Sequence, residues 1–239
     1  MPEAIIFADA HVGDDEAAAR VERFLDGVCE GAARVYILGD LFNFWFGPKQ
    51  AEREPYGRVL RAIKRLGERG VKVTFFHGNR DFYMDEGTAA AYGFTLVRDS
   101  SVEEICGKKV FMCHGDMLCR NDKNYHRMRA VLRNPLTEAV FTRLPAFVAE
   151  RLARLARRES KRAVGAKTQW VLGIDDREVL AKLGEGADVV VCGHTHKEDV
   201  RTFDAGGVRG TLYTLGDFGA AGAYLVCDKE GFTFHYAKS

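Results

Sequence analysis

The chain has 239 residues, 46% of them hydrophobic, enough for one substantial core; length admits one or two domains, and one is expected. Lys and Arg number 35 against 34 Asp and Glu, so overall charge excludes any case for a nucleic-acid or acidic partner that does not rest on a local patch. No uncharged apolar stretch approaches the ~20 residues of a membrane-spanning helix, so any membrane contact is expected to be peripheral.

The opening Met1-Pro2-Glu3-Ala4-Ile5-Ile6-Phe7-Ala8 has no basic leader and meets Asp9 before an apolar signal core forms. Short apolar runs rich in β-branched and aromatic residues predict buried strands at 4–8, 35–38, 71–76, 110–113 and 189–192. Helical spacing lies between the first three, over 15–29 with Asp14 and Asp15 as N-cap candidates, and over 55–69 with Pro55 near its first turn. This βαβαβ order predicts a parallel sheet flanked by helices. Residues 121–167 carry twelve Lys and Arg against Asp122, Glu138, Glu150 and Glu159, a basic island in a neutral chain. Its apolar stripe (Val140, Phe141, Leu144, Phe147, Val148, Leu152) has helical spacing, with Pro145 separating two helices, and is read as a helical insertion between strands. After Val200 two hairpins are expected, 201–205 with 208–215 around Gly206-Gly207, and 224–227 with 232–236, suggesting a second sheet packed on the first. The cysteines Cys29, Cys106, Cys113, Cys119, Cys192 and Cys227 form no Cys-x-x-Cys pair and read as reduced core residues of a cytoplasmic protein.

Five clusters each follow directly on a predicted strand: Asp9-Ala10-His11, Gly39-Asp40, Gly78-Asn79-Arg80-Asp81, His114-Gly115-Asp116 and Gly193-His194-Thr195-His196. Ligands of α/β sheets bind at the carboxyl ends of strands, so the clusters are expected to converge. Carboxylate, imidazole and amide donors without thiolate suit manganese, iron or zinc better than calcium. Asp9, His11, Asp40, Asn79, His114, His194 and His196 exceed the needs of one ion, whereas two ions sharing a carboxylate fit and would hold a hydroxide for attack on phosphorus. His77 and His235 belong to no ligand pattern and are read as structural.

The five clusters resemble the signature of the calcineurin-like metallophosphoesterases. More narrowly, Tyr36-Ile37-Leu38-Gly39-Asp40-Leu41-Phe42, His77-Gly78-Asn79-Arg80-Asp81-Phe82 and His114-Gly115-Asp116, with Leu118-Cys119, Asp122 and Tyr125, resemble the UDP-2,3-diacylglucosamine diphosphatase family of lipid A biosynthesis. The likeness runs through Leu144-Pro145, Ser160-Lys161 and Lys167 and weakens after Val200. It implies an α/β (α+β) fold, a four-layer αββα sandwich of two mixed sheets forming a single domain over 1–239 with a helical lid at about 121–167. It also implies hydrolysis of the pyrophosphate bond of an acylated nucleotide-sugar to lipid X and UMP. Asp9, His11, Asp40 and His196 would hold one divalent ion, and Asp40, Asn79, His114 and His194 the other, with Asp40 bridging and Mn(2+) the expected metal. Asp40, Asn79, Arg80, His114 and His194 would be catalytic; Asn79, Arg80, Asp122, Tyr125, Arg157, Ser160, Lys167 and His194 would meet substrate. The expected location is cytoplasmic and peripheral to the inner membrane, without nucleic acid, as a monomer. Position 164, often Asn in that family, is Val164 here, which bears on substrate contacts and leaves the metal chemistry intact.

Many members of the superfamily carry His where this chain has Arg80. Arginine cannot serve as a general acid, but a departing phosphate needs no proton, so Arg80 fits anhydride cleavage better than cleavage of alkyl diesters. The competing reading of Arg80 is a surface ion pair with Asp81. The competing functions are a phosphoesterase acting on another nucleotide anhydride or phosphodiester, a nuclease using the basic island as a phosphate track, and a binding module built on the same fold.

Overall fold

The computed structural model describes residues 1–119, 134, 137 and 173–237. Apart from positions 134 and 137, the insertion expected at 121–167, with Asp122, Tyr125, His126, Arg157, Ser160, Val164 and Lys167, lies outside the described residues.

Strands β1 (Ala4–Phe7), β2 (Arg34–Ile37), β3 (Lys72–Phe76), β4 (Thr95–Val97), β10 (Ala223–Asp228) and β11 (Gly231–Tyr236) form one sheet in the order β11-β10-β1-β2-β3-β4. Strands β5 (Ser100–Ile105), β6 (Lys108–Cys113), β7 (Val189–Cys192), β8 (Asp199–Ala205) and β9 (Val208–Thr214) form the other, in the order β5-β6-β7-β9-β8. Both sheets are mixed: β1 to β4 run parallel with β10 antiparallel to β1, and β6, β7 and β9 run parallel between antiparallel edges.

Strand alternation sorts side chains into layers. Ile5, Phe7, Val35, Ile37, Val73 and Phe75 face the helices α1 (Asp15–Gly27) and α2 (Tyr56–Glu68), meeting Phe24, Leu25, Leu60 and Ile63. Ala4, Ile6, Tyr36, Leu38 and Phe76 face the other way, against Val110, Met112, Val189 and Val191 of the second sheet. The outer face of that sheet, Phe111, Val190 and Leu212, packs on Val179 and Leu183 of α4 (Asp176–Gly184). The four layers are thus helix, sheet, sheet, helix, and each fully buried Phe or Ile contributes about 1.5–3 kcal/mol. Asp14 caps α1, its carboxylate accepting from the Ala17 N–H at 2.9 Å. Across the helix pair, Arg65 of α2 donates to Glu22 at 3.0 Å and Asp26 at 2.6 Å of α1.

The expected strands and the first two helices appear with ends displaced by one or two residues, while α3 (Glu86–Tyr92), β4, β5 and α4 had no counterpart in the sequence reading. One expectation needs correction. The C-terminal hairpins do not make a sheet of their own: β9 pairs in parallel with β7, and β10 pairs antiparallel with β1. Burial explains the division. Ala223, Tyr224, Leu225 and Cys227 of β10 are buried on both faces, as an inner strand requires, and the charged, exposed β8 is left at an edge. Among the described residues no helix is long and apolar enough to cross a membrane.

Candidate metal centre

Parallel strands place their carboxyl ends at one edge, and the clusters emerge there from β1, β2, β3, β6 and β7. Main-chain bonds bind the loops together. Asp9 N–H donates to Gly39 O at 3.1 Å, His11 N–H to Asp40 O at 3.0 Å, and Gly193 N–H to His114 O at 2.7 Å. His194 N–H donates to the Asp9 carboxylate at 2.9 Å, so a loop of the second sheet is fixed to a side chain of the first.

The backbone is held in an unusual shape here. Asp9 (φ 58°), His11 (φ 49°), Asp40 (φ 52°), His194 (φ 71°) and His196 (φ 58°) all occupy the left-handed region; Cys106 is the other non-glycine residue to do so among those described. Each such residue costs on the order of 1–3 kcal/mol, and strain concentrated on the proposed ligands marks a functional site. Close approach is equally marked. A Cβ at Gly78 would stand 2.2 Å from Asp40 Oδ1, and one at Gly193 would stand 2.6 Å from both Ala8 Cβ and Asp9 Oδ2.

Two groups of donor atoms result. In the first, His11 Nε2 and His196 Nε2 are 3.2 Å apart, and the buried Asp9 Oδ1 lies 3.3 Å from His196 Nε2 and 3.9 Å from His11 Nε2. In the second, Asn79 Oδ1 is 2.9 Å from His114 Nε2 and 3.1 Å from His194 Nδ1, while those nitrogens are 3.2 Å from each other. Asp40 Oδ1 lies 3.8 Å from His114 Nε2. Considering carboxylates and imidazoles alone, Asp9, His11 and His196 cluster, as do Asp9, Asp40 and His114, so Asp9 belongs to both groups, whereas the resemblance implies Asp40 as the bridge. Asp9 Oδ1 is fully buried and accepts no hydrogen bond. A buried, unsatisfied carboxylate oxygen facing imidazole nitrogens is costly without a cation, and the donor set suits divalent transition metals.

Electrostatics set the two groups apart. Burial opposes ionisation of Asp9, but the imidazoles of His196, His114 and His11 outweigh it and hold the carboxyl at about 2. Burial and the neighbouring His114 push His194 down to about 4, leaving its ring neutral at pH 7, as a metal ligand requires. For His196 burial is overcome by Asp217 and Asp9, which raise it to about 10, so a metal ion held at its Nε2 would have to displace a proton.

Arg80 stands beside this cluster. Its main-chain N–H donates to Asp40 Oδ1 at 2.9 Å, and its Nε lies 3.2 Å from Asp40 Oδ2. The reading of Arg80 as a surface partner of Asp81 is therefore corrected: Asp81 is fully buried and accepts from four main-chain N–H groups, Asp40 (3.2 Å), Leu41 (2.8 Å), Phe42 (3.4 Å) and Gly78 (2.8 Å). Burial and the Asp40 charge push its carboxyl up to about 7. His77 is buried with Nε2 2.9 Å from Met84 O, in line with its structural reading.

Two residues escaped the sequence reading, Asp81 as the clasp between the second and third loops, and Asp217, whose Oδ2 lies 3.1 Å from His196 Nδ1. A signal for Asp217 existed. Leu215-Gly216-Asp217 repeats the Leu38-Gly39-Asp40 tripeptide, and it follows β9, a strand parallel to β7 that ends at the same edge.

The calcineurin-like phosphoesterase family model matches residues 4–198. A UDP-2,3-diacylglucosamine hydrolase of Pseudomonas putida (strain W619) is 33% identical over 232 residues, 95% of this chain and 96% of the relative. Another of that name, from Pseudomonas savastanoi pv. phaseolicola, is 33% identical over 236 residues, 97% and 94% of the two chains. The solved structure of a dimetal phosphatase from Danio rerio covers 100% of both chains with a TM-score of 0.49 at 12% identity, too distant a likeness to carry an argument. On the family match and these relatives, the chain belongs to the calcineurin-like phosphoesterases.

Proposed function

We propose that this chain hydrolyses the pyrophosphate bond of UDP-2,3-diacylglucosamine, giving 2,3-diacylglucosamine 1-phosphate and UMP. The substrate class is supported by likeness to hydrolases of that name along nearly the whole chain. The bond cleaved is supported by one observation above others, the guanidinium of Arg80 docked on Asp40 at the edge of the donor cluster.

Asp9, His11, Asp40 and His196 would hold one divalent ion and Asp40, Asn79, His114 and His194 the other, with manganese the proposed metal. When bound, such ions supply Lewis-acid charge to phosphoryl oxygens and make water acidic enough to attack phosphorus near neutral pH. The chain supplies fixed geometry and charge around that chemistry. Asp81 holds the Asp40 and Asn79 loops in register, and the buried Asp9 carboxylate stays ionised. The Arg80 guanidinium offers its positive charge to the charge that develops on a departing phosphate and does not serve as the acid for the leaving group. In this reading Asp40, Asn79, Arg80, His114 and His194 are catalytic, and Asp122, Tyr125, Arg157, Ser160 and Lys167 complete the substrate contacts. The proposal extends to a single domain with a lid at 121–167 that takes the acyl chains, and to a cytoplasmic monomer peripheral to the inner membrane.

Val164 favours a second reading, another nucleotide anhydride or a phosphodiester as substrate. A hydrolysis assay on UDP-2,3-diacylglucosamine, UDP-glucose, a dinucleotide and an alkyl phosphodiester decides between them. The proposal expects the acylated anhydride to be turned over fastest and the alkyl diester slowest, by about 10²-fold or more. Equal rates on the alkyl diester and the anhydride would contradict the role given to Arg80.

A further inference from the structure

We propose that Asp217 is a positioning residue for one half of the metal centre only, orienting His196 so that Nε2 faces Asp9 and His11. The inference rests on the reading of these residues as metal ligands, and it concerns metal binding rather than turnover.

The two oxygens of Asp217 have divided tasks. Oδ1 accepts from the Ala220 N–H at 3.0 Å, capping the short helix α5 (Phe218–Ala221), and Oδ2 lies 3.1 Å from His196 Nδ1. The cap is itself anchored. Phe218 is fully buried against Phe7 and Phe24, Phe218 N–H donates to Ala8 O at 3.3 Å, and Gly219 N–H donates to Asp9 O at 3.1 Å. The carboxylate is therefore carried on a rigid segment tied to the loop of the very residue, Asp9, that His196 faces. A neutral His196 ring that donates Nδ1–H to Asp217 presents its lone pair at Nε2, the nitrogen 3.2 Å from His11 Nε2 and 3.3 Å from Asp9 Oδ1. A carboxylate behind a ligating imidazole fixes its tautomer and ring plane and raises its basicity.

His114, a ligand assigned to the other half, is supported differently. His114 has its Nδ1 2.8 Å from the Leu38 carbonyl, a neutral main-chain acceptor on a strand end. Asp217 supports a ligand assigned to one ion, so its removal should weaken that metal position and spare the other.

The experiment compares Asp217→Ser, Asp217→Ala and wild type, full chain, by equilibrium dialysis and Mn(2+) electron paramagnetic resonance, with the melting temperature of metal-stripped protein alongside. The serine hydroxyl can still cap α5 but is too short to reach His196, so it separates the two tasks. The expected result is that one of the two Mn(2+) affinities falls by about 10–100-fold in both variants while the other stays within about threefold. In a His196→Ala background, Asp217→Ser should change neither affinity further. Unchanged affinities in Asp217→Ser, or two that fall together, would overturn the proposal and leave Asp217 as a helix cap. Because no substrate is used, failure of the proposed hydrolytic activity would leave this result standing, and the reverse.

Discussion

At the level of single residues, the centre depends on groups that touch no substrate. Asp81 is the clearest, because one buried carboxylate satisfies four main-chain donors from two loops. Asp81→Ala removes all four acceptor contacts, and buried donors left unpaired cost about 1–3 kcal/mol each before relaxation or entering water. The expected outcome is a loss of about 3 kcal/mol or more in urea unfolding, with Asp81→Asn, which keeps one acceptor oxygen, losing less. An Asp81→Ala protein within about 1 kcal/mol of wild type would show that the loops hold their register without it. The seven proposed ligands were legible in the sequence because each falls within a few residues after an apolar run, beside a glycine or one residue removed from a second donor. Asp81 was not, because its work is to bind backbone, and no side-chain pattern announces an acceptor of main-chain N–H groups.

Among the elements, strands with uniform apolar content were legible and those of mixed character were not. Residues 189–192 are buried throughout and read at once as a strand; β5, Ser-Ser-Val-Glu-Glu-Ile, alternates exposure at a sheet edge and carries too little hydrophobic signal. The two C-terminal hairpins were recognised from their turns, yet their assignment to different sheets depends on contacts distant in sequence, such as Ile6 opposite Leu225 and Val190 opposite Leu212. What the strands accomplish together is close approach of their ends. Gly78, just beyond β3, shows how tight this is, since a Cβ there would also stand 2.3 Å from the main-chain nitrogen of Asp40. Gly78→Ala is expected to displace Asp40, lowering turnover by about 10²-fold or more through misplacement of about an ångström. The far-ultraviolet circular dichroism spectrum should stay close to that of wild type. Normal turnover in Gly78→Ala would contradict the placement of Asp40 at the reacting centre.

For the molecule as a whole, two sheets must keep a fixed relation if ligands from both are to share one centre, for His114 and His194 come from the second sheet and Asp9, Asp40 and Asn79 from the first. Part of that relation is set far from the site by Glu3. Its carboxylate accepts from the Cys106 N–H at 2.8 Å, in the turn between β5 and β6, and pairs with Arg34 of β2. Burial raises its pKa, but the Cys106 and Arg34 contacts outweigh this and leave it lowered. A carboxyl with a lowered folded-state pKa contributes stability above its unfolded value of about 4.3, and the contribution is lost as pH falls through the folded value. Glu3→Gln should therefore melt below wild type at pH 7, with the gap closing in acid below about pH 4. A gap that persists or widens in acid would show that Glu3 acts through something other than its charge. The sandwich architecture followed from the sequence resemblance, and the convergence of five strand ends followed from the clusters themselves; the clasp between the sheets, made of partly buried residues, left no trace in hydrophobic patterning. The central claim is that these converging donors form one metal-dependent hydrolytic centre organised on Asp40. The most direct test is the rate of UMP release from UDP-2,3-diacylglucosamine by Asp40→Ala protein saturated with Mn(2+). The account predicts a rate lower than wild type by about 10³-fold or more with the fold retained, and a rate near that of wild type would contradict it.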